Sequence, residues 1–471
     1  MMVTVTIPLA QWLPLLLLAA LLRLLPDREP EDRGLDRRDL ALMLACGVGL
    51  SALCHGWLAA FYLLDGALIG SDFQEYCNSV ASMRPHGDPE VFSGQRSRLA
   101  ALPSVLLSGP GIVEGMARAA RWSVVVIGAG TYLWGRALHS RLAGICAVLL
   151  AASCAPLVLL ARTVSFYPEI TAVFTLSSAL CAAAVRWRRP VELLLCGAGV
   201  GLCFLIDLRG LVWGLAALGP ALLVVFLAPI RRWPLRFFAL LLPIWLAWFG
   251  GRMAYLPDAN PLEGQVDLLK RIEDKGGTPS FDRSMLPQSE YVWGHTPALG
   301  IPGTIHALSV QSQLIPDWMA DDFRSQKEVD RYITPMLAPM AAALLLALLA
   351  LRRRPLLAAT MLGLLVPHVS SLRSAMSLGQ VYVRYIGTAA PAAAVIAGVA
   401  LAWVAGRGNR RLVVGSLGLL ILILGVVDSA LSPVADWREV ATTQPRQLSP
   451  FVSVDDDGQI VYTHPNTCHG R

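Results

Sequence analysis

The feature that most constrains this chain is a succession of apolar stretches, most of them close to 20 residues long, separated by connections rich in arginine. About 20 consecutive apolar residues is the length that a helix needs to cross a bilayer. Hydrophobic residues make up 55% of the 471 residues and charged residues only 15%, so a soluble protein of this size would expose too much apolar surface to water. The pattern predicts an all-α integral membrane protein.

The positions of the arginines orient the predicted helices. The candidate spans are 6–25, 40–64, 122–138, 142–161, 167–185, 191–207, 210–228, 237–254, 333–351, 355–372, 383–404 and 412–431. Arginines recur in every second connection, and connections with excess arginine lie on the cytoplasmic side of membrane proteins. The alternation stays in register throughout, so we predict about twelve transmembrane helices with both ends of the chain outside.

The connections divide the chain into three predicted parts. Residues 1–39 form an extra N-terminal helix and a cytoplasmic loop, 40–432 form the membrane domain, and 433–471 form a short outer tail. Two outer segments, 65–121 and 255–332, are too long for simple turns and mix proline, glycine, aromatic and charged residues, which predicts structured periplasmic loops. In the first loop, we expect a short helix over 72–84 and two amphipathic interfacial helices over 96–121.

Several function classes find no support in the sequence. The net charge of +6 comes from arginines at helix ends, so it does not indicate a nucleic-acid partner. There is no phosphate-binding loop with its lysine, no GxSxG and no HExxH. Only Cys77 and Cys468 lie in polar segments, where a disulfide and two free thiols both stay open.

Two acids at the outer ends of predicted helices could carry chemistry. Asp72, in GSDFQEY, lies a few residues beyond the second span, where it could act as a general base or serve only as a helix cap. Glu75 lies one turn further on. Glu169 follows Pro168 at the outer start of an apolar helix, where it either caps the helix or faces Asp72 across a cavity.

Basic residues accompany these acids. Asp207 and Arg209 interrupt the run CFLIDLRGLVWG, either as a mutual ion pair or with Arg209 gripping a phosphate. Arg384 and Tyr385 open a late helix. The arginine could bind a ligand there, or its side chain could simply extend to the membrane surface. His368 lies in the connecting segment just before that helix. Arg96 and Arg98 precede an amphipathic stretch and could instead contact lipid headgroups.

The order of these features resembles the GT-C class of polytopic membrane glycosyltransferases, and within it the bacterial branch of protein mannosyltransferases and the lipid A aminoarabinose transferase. The resemblance covers about 40–432 and rests on GSDFQEYCNSVASM, QRSRLAALPSVLL, RLAGICAVLLAASCAPLVLLARTVSFYPEITAVF, CGAGVGLCFLIDLRGLVWG and VRYIG. The sequence departs from that pattern in its extra first helix, and in Phe73 where the family often has a second acid.

The resemblance implies transfer of a hexosyl or pentosyl group from a polyprenyl-phosphate donor to a glycan, lipid or protein acceptor, at the outer face of the bacterial cytoplasmic membrane. It implies Asp72 and Glu169 as catalytic acids. The donor phosphate would be held by Arg209, Arg384, Arg96 and Arg98. The substrates would also contact Glu75, Tyr76, His368 and Tyr385. No cofactor is certain, and a divalent metal stays open.

Two other functions fit a polytopic membrane protein. One is a transporter or flippase of lipid-linked sugar, although such carriers usually contain internal repeats and the sequence shows none. The other is an O-antigen ligase or polymerase-type enzyme, for which the loop 255–332 is large enough.

Overall fold

The computed structural model describes residues 34–57, 68–69, 76, 79–80, 83, 98–107, 112–207, 209–254, 334–377, 383–406, 447–449, 452–454 and 460–462. The helices are α1 Arg37–Ala52, α2 Arg98–Leu107, α3 Ile112–Leu138, α4 Arg141–Ala152, α5 Ala155–Arg162, α6 Tyr167–Trp187, α7 Pro190–Ile206, α8 Gly210–Phe226, α9 Trp233–Ala254, α10 Thr334–Leu351, α11 Pro355–Ser377 and α12 Val383–Ala405. A π-helical turn, Leu53–Trp57, ends α1, and a 3-10 turn, Ile230–Arg232, precedes α9.

The described chain is mostly helical, as the hydropathy pattern predicts. The spans 6–25 and 412–431, and residues 58–64 of the second span, lie outside the described residues, and the described parts of the other predicted spans are mainly helical. Three described helices are long and apolar enough to cross a membrane: Arg37–Gly56, Tyr167–Trp187 and Gly387–Ala405. The number of spans, twelve, stays a prediction.

Short strands qualify the expectation of an all-α fold. β1 Leu68–Ile69 pairs in parallel with β2 Thr163–Val164. Near the C-terminus, β3 Gln447–Ser449, β4 Val452–Val454 and β5 Ile460–Tyr462 form an antiparallel sheet. The sequence analysis treated that segment only as a short polar tail.

Two predicted helices have different limits in the structure. The span 142–161 divides into α4 and α5, because Pro156 has no N–H to continue the hydrogen bonding of α4. The hydroxyl of Ser153 donates to the carbonyl of Leu150 at 2.8 Å and helps to end α4. In 96–121, one separate helix forms, α2, and the second predicted interfacial helix is the beginning of α3, whose sequence contains no proline.

Helix α6 lies at the centre of the bundle and packs against α3, α7 and α8. Its sequence, YPEITAVFTLSSALCAAAVRW, is rich in Ala, Ser and Thr, and small residues let transmembrane helices approach closely. Where α3 crosses it, a Cβ added at Gly130 would lie 3.2 Å from Cγ2 of Thr175. The contact leaves little room for a side chain at that crossing.

Large apolar side chains cover the outer faces of α7, α8 and α9. They include Leu194, Leu195, Leu215, Phe238 and Trp245, which are 40 to 61% exposed. Such a surface would be costly in water and is ordinary against lipid. Together with the apolar helices, it identifies the chain as a membrane protein.

Three of the arginine-bearing connections meet at one end of the bundle, hereafter the arginine end. Arg186 Nη1 donates to the carbonyls of Ala137 and His139, both at 3.1 Å. Arg236 Nη2 donates to the carbonyl of Arg188 at 2.9 Å. Three predicted cytoplasmic connections are therefore on the same side, as their charge pattern requires.

A buried ion-pair network fastens α1 to α3 and α4 at this end. Asp39 is fully buried, and its Oδ1 accepts from the Tyr132 hydroxyl at 3.0 Å, Arg136 Nε at 3.2 Å and Arg141 Nε at 2.9 Å. Asp36 caps α1 and pairs with Arg141. These donors offset the cost of taking the Asp39 carboxylate out of water.

Candidate functional site

The first long loop is joined to the segment before α6 by the parallel pair β1–β2. Leu68 lies opposite Thr163, and Ile69 lies opposite Val164. In sequence, β1 ends three residues before Asp72, and β2 ends five residues before Glu169. Because the two strands are parallel, the segments that lead to Asp72 and to Glu169 leave the strand pair in the same direction.

A second contact joins the same two segments further along the loop. The ring of Tyr76 packs edge-on against the ring of Phe166, with centroids 4.8 Å apart. Tyr76 is 2% exposed and Phe166 is fully buried. Asp72 and Glu75 lie outside the described residues, but Asp72 is flanked in sequence by Ile69 and Tyr76, which both contact 164–166.

Glu169 lies in the first turn of α6, directly after Pro168. Its side chain is almost fully buried, and neither carboxylate oxygen has a hydrogen-bond partner among the described residues. The N-cap residue, Phe166, makes no side-chain cap hydrogen bond, and Glu169 is the acid of the first turn, where it meets the positive end of the helix dipole. Burying an unpaired carboxylate is costly, and acids at such positions in membrane proteins usually serve a function.

Arg209 is held beside the start of α6 by two contacts. Its Nε and Nη2 donate to Oδ1 and Oδ2 of Asp207 at 2.8 and 3.1 Å, so the ion pair that the sequence left open is formed. Its guanidinium carbon also lies 4.8 Å from the centre of the Tyr167 ring. The Arg209 side chain is 27% exposed, so part of it remains open to solvent or a ligand.

The late helix α12 begins next to the start of α6. The hydroxyls of Thr171 and Thr388 are hydrogen-bonded at 2.9 Å, and both side chains are buried. Arg384 and Tyr385 lie about one turn before Thr388, in the first turn of α12. The structure describes only the backbone at these two positions, and it places that backbone at the same end of the bundle as Glu169.

His368 lies inside the bundle and not in a connecting segment. Helix α11 continues through Pro367 and His368 to Ser377, because neighbouring helices compensate a proline within a membrane bundle. The His368 ring packs against Trp134 at 6.4 Å and Trp213 at 5.2 Å between centroids. Its two nitrogens have no hydrogen-bond partner in the described part of the chain.

The remaining predicted residues divide between described and undescribed segments. Arg98 begins α2, whereas Arg96, Cys77 and Cys468 lie outside the described residues. Among the described residues, no group of three or more His, Cys, Asp or Glu side chains could hold a metal ion.

The sequence analysis missed the aromatic pair Phe166 and Tyr167. These two residues support the first loop and Arg209, respectively. The available signal was their position directly before Pro168 and Glu169 at the start of a helix.

Comparisons with known proteins found similarity at the level of fold. No protein-family model and no curated protein matches the chain. The oligosaccharyltransferase of Archaeoglobus fulgidus in its apo form superposes with a TM-score of 0.50 at 15% identity, over 86% of this chain and 56% of that one. The same enzyme with Zn and sulfate gives 0.49 at 15% identity, over 83% and 53%.

This chain therefore spans little more than half the length of those structures. At such low identity the likeness shows the fold alone, and it supports the GT-C type of membrane fold expected from the sequence. The bacterial branch named from the sequence stays a prediction.

Proposed function

We propose that this chain is a glycosyltransferase that moves a sugar from a polyprenyl-phosphate donor to an acceptor at the outer face of the bacterial cytoplasmic membrane. One observation carries the proposal: the residues on either side of Asp72 contact the segment that leads to Glu169. Ile69 pairs with Val164, and Tyr76 packs on Phe166.

Chain geometry limits how far apart the two acids can be. Asp72 is three residues after Ile69, so their Cα atoms are at most about 11 Å apart. Glu169 lies in the first turn of α6, only five residues after Val164. We therefore propose that Asp72 and Glu169 face one site, which the starts of α6 and α12 surround.

The proposed reaction is a displacement at the anomeric carbon of the donor. The acceptor oxygen forms a bond to that carbon while the bond from the carbon to the phosphate oxygen breaks. Asp72 takes the proton of the acceptor hydroxyl, and the leaving group is polyprenyl phosphate. Glu169 would orient the acceptor or share the role of base.

Arginines would hold the phosphate of the donor and leaving group. A planar guanidinium fork suits phosphate oxygens, and charge at the leaving group lowers the barrier. Arg209 is held by Asp207 and Tyr167, and Arg384 lies in the first turn of α12, which is hydrogen-bonded to α6 through Thr388. Arg96 and Arg98 would add contacts from the first loop.

The other residues proposed to contact the substrates would have different roles. Tyr76 is buried against Phe166, so it would contribute by holding the first loop in place. Glu75 and Tyr385 stay proposed as direct contacts. Whether the acids bind a divalent cation stays open. The unpartnered oxygens of Glu169 are suitable ligands, and a cation there would offset the negative charge of the donor phosphate.

Transfer activity in reconstituted liposomes tests the proposal. Wild type and Asp72→Asn would receive polyprenyl-phosphate sugars and a membrane extract as acceptor, and the released polyprenyl phosphate would be measured. Asp36→Asn is the control, because Asp36 is exposed at the arginine end. We expect release by wild type and the control, and at least a hundredfold slower release by Asp72→Asn.

Two other outcomes would contradict the proposal. Equal release by all three proteins would remove Asp72 from the site. Movement of the lipid-linked sugar across the bilayer without transfer would favour the carrier.

A further inference from the structure

Four arginines lie together where the end of α6 meets the start of α9. Arg188 ends α6 in a left-handed conformation with φ of 56°, and its side chain is exposed. Arg231 and Arg232 are exposed in the 3-10 turn, and Arg236 follows one helical turn later. We call this group the arginine cluster.

Arg236 joins the elements that carry the cluster. Its Nη1 donates to the carbonyl of Val224 at 3.1 Å, and its Nη2 donates to the carbonyl of Arg188 at 2.9 Å. These carbonyls lie near the ends of α8 and α6, where helix dipoles favour a cation. The charges of Arg232 and Arg188 are close enough to Arg236 to repel it.

No described carboxylate balances the cluster. The ion pairs of the described residues involve Arg136, Arg141 and Arg209 at their basic ends, and none of the four cluster arginines. Glu192, in the first turn of α7, is buried and forms no ion pair with them. Like charges held this close repel one another unless an anion binds between them.

The surface beside the cluster is apolar and exposed. Ile230 is 74% exposed, Leu235 is 60% and Leu227 is 58%. Trp233 donates from its indole Nε1 to the carbonyl of Ala228 at 2.8 Å, a setting typical of tryptophan at a membrane interface. An anion here would have hydrocarbon on one side and water on the other.

We propose that the arginine cluster binds the headgroup of an anionic glycerophospholipid in the leaflet at the arginine end. Arg188, Arg231 and Arg232 contact the phosphate, and Arg236 holds the helix ends that present them. The acyl chains lie along the exposed side chains of Ile230, Leu227 and Leu235. This site is at the end of α6 opposite to Glu169, so it is independent of the proposed transferase site.

A lipid titration of the full-length protein in detergent micelles tests the inference. Phosphatidylglycerol is the probe, phosphatidylcholine with the same acyl chains is the neutral reference, and inorganic phosphate is the free anion. Binding is followed by tryptophan emission and by the melting temperature. The variant is Arg188→Gln with Arg232→Gln, and the matched control is Arg352→Gln with Arg353→Gln, which removes the same charge from another exposed connection.

We expect phosphatidylglycerol to bind wild type and the control with similar affinity. The cluster variant should bind at least tenfold more weakly, because it loses two direct arginine–phosphate contacts that the control keeps, and a factor of ten corresponds to about 1.4 kcal/mol. Phosphatidylcholine and inorganic phosphate should not raise the melting temperature at the same concentration.

Three results would overturn the inference. The first is equal affinity of wild type and the cluster variant for phosphatidylglycerol. The second is an equal effect of inorganic phosphate, which would make the site one for free anions. The third concerns the acids Asp27, Glu29, Glu31 and Asp32: if their amide variants raise lipid affinity tenfold or more, the chain's own acids occupy the cluster.

Discussion

The ring of Tyr76 stands edge-on to the ring of Phe166, and their centroids are 4.8 Å apart. Because Phe166 lies three residues before Glu169, this contact attaches the first long loop to the start of the central helix α6.

Loss of this aromatic contact should affect stability and transfer together. Tyr76→Ala removes a buried ring, and we expect the free energy of unfolding to fall by about 3 kcal/mol. Transfer should also fall, because Asp72 loses its support on one side. Tyr76→Phe keeps the ring and should retain most of both properties. An unchanged transfer rate in Tyr76→Ala would show that the contact does not position the site.

The register of β1 and β2 can be tested by disulfide formation. Ile69→Cys with Val164→Cys places two thiols on directly opposite positions of the parallel pair, within the range that a disulfide bridges. We expect oxidation to link this pair. Leu68→Cys with Ser165→Cys is displaced by two residues and should link poorly. Efficient linkage of the second pair alone would show a different register.

The buried network at the arginine end predicts a large difference between two neighbouring acids. Asp39→Asn leaves Arg136 and Arg141 without their buried partner, and we expect unfolding to become easier by about 3 to 5 kcal/mol. Asp36→Asn should cost at most about 1 kcal/mol, because the Asp36 side chain is half exposed and asparagine also caps a helix. Equal effects of the two substitutions on the free energy of unfolding would contradict the network.

Substitution of His368 should leave stability unchanged or raise it, unlike the substitutions above. Its buried ring lies between Trp134 and Trp213 with both nitrogens unpartnered among the described residues. His368→Phe keeps an aromatic ring and removes the unsatisfied polar atoms, so the melting temperature should stay the same or rise. The matched variant Trp213→Phe removes packing and should lower it. A loss of transfer in a stable His368→Phe protein would support His368 as a substrate contact.

The helical part of the fold was predictable because it depends on local properties. Apolar runs of sufficient length, and arginines at their ends, set the limits of α6 to α12 within a few residues. The interruptions of helices were harder to predict. A helix ends shortly before Pro156, whereas α11 contains Pro367 in its interior, and the difference depends on neighbouring helices.

The candidate site was predictable only in part, because its arrangement depends on contacts between distant segments. The sequence indicated Glu169 and Arg209 by their unusual positions in apolar runs. It left open whether Arg209 pairs with Asp207, and the structure shows that it does so while it also lies over Tyr167. The pairing of Ile69 with Val164, about 95 residues apart, has no local signal that a single sequence displays.

The transfer rates of Glu169→Gln and Glu192→Gln, measured in the same liposomes, test the central claim most directly. Both are buried acids in the first turn of a helix that begins near a proline. Glu169 is at the start of α6, whereas Glu192 is at the start of α7, beside the other end of α6 and about 25 Å away along the helix. The proposed site predicts at least a hundredfold loss of transfer in Glu169→Gln and a rate near that of wild type in Glu192→Gln. Equal rates in the two variants would contradict a site built on Glu169.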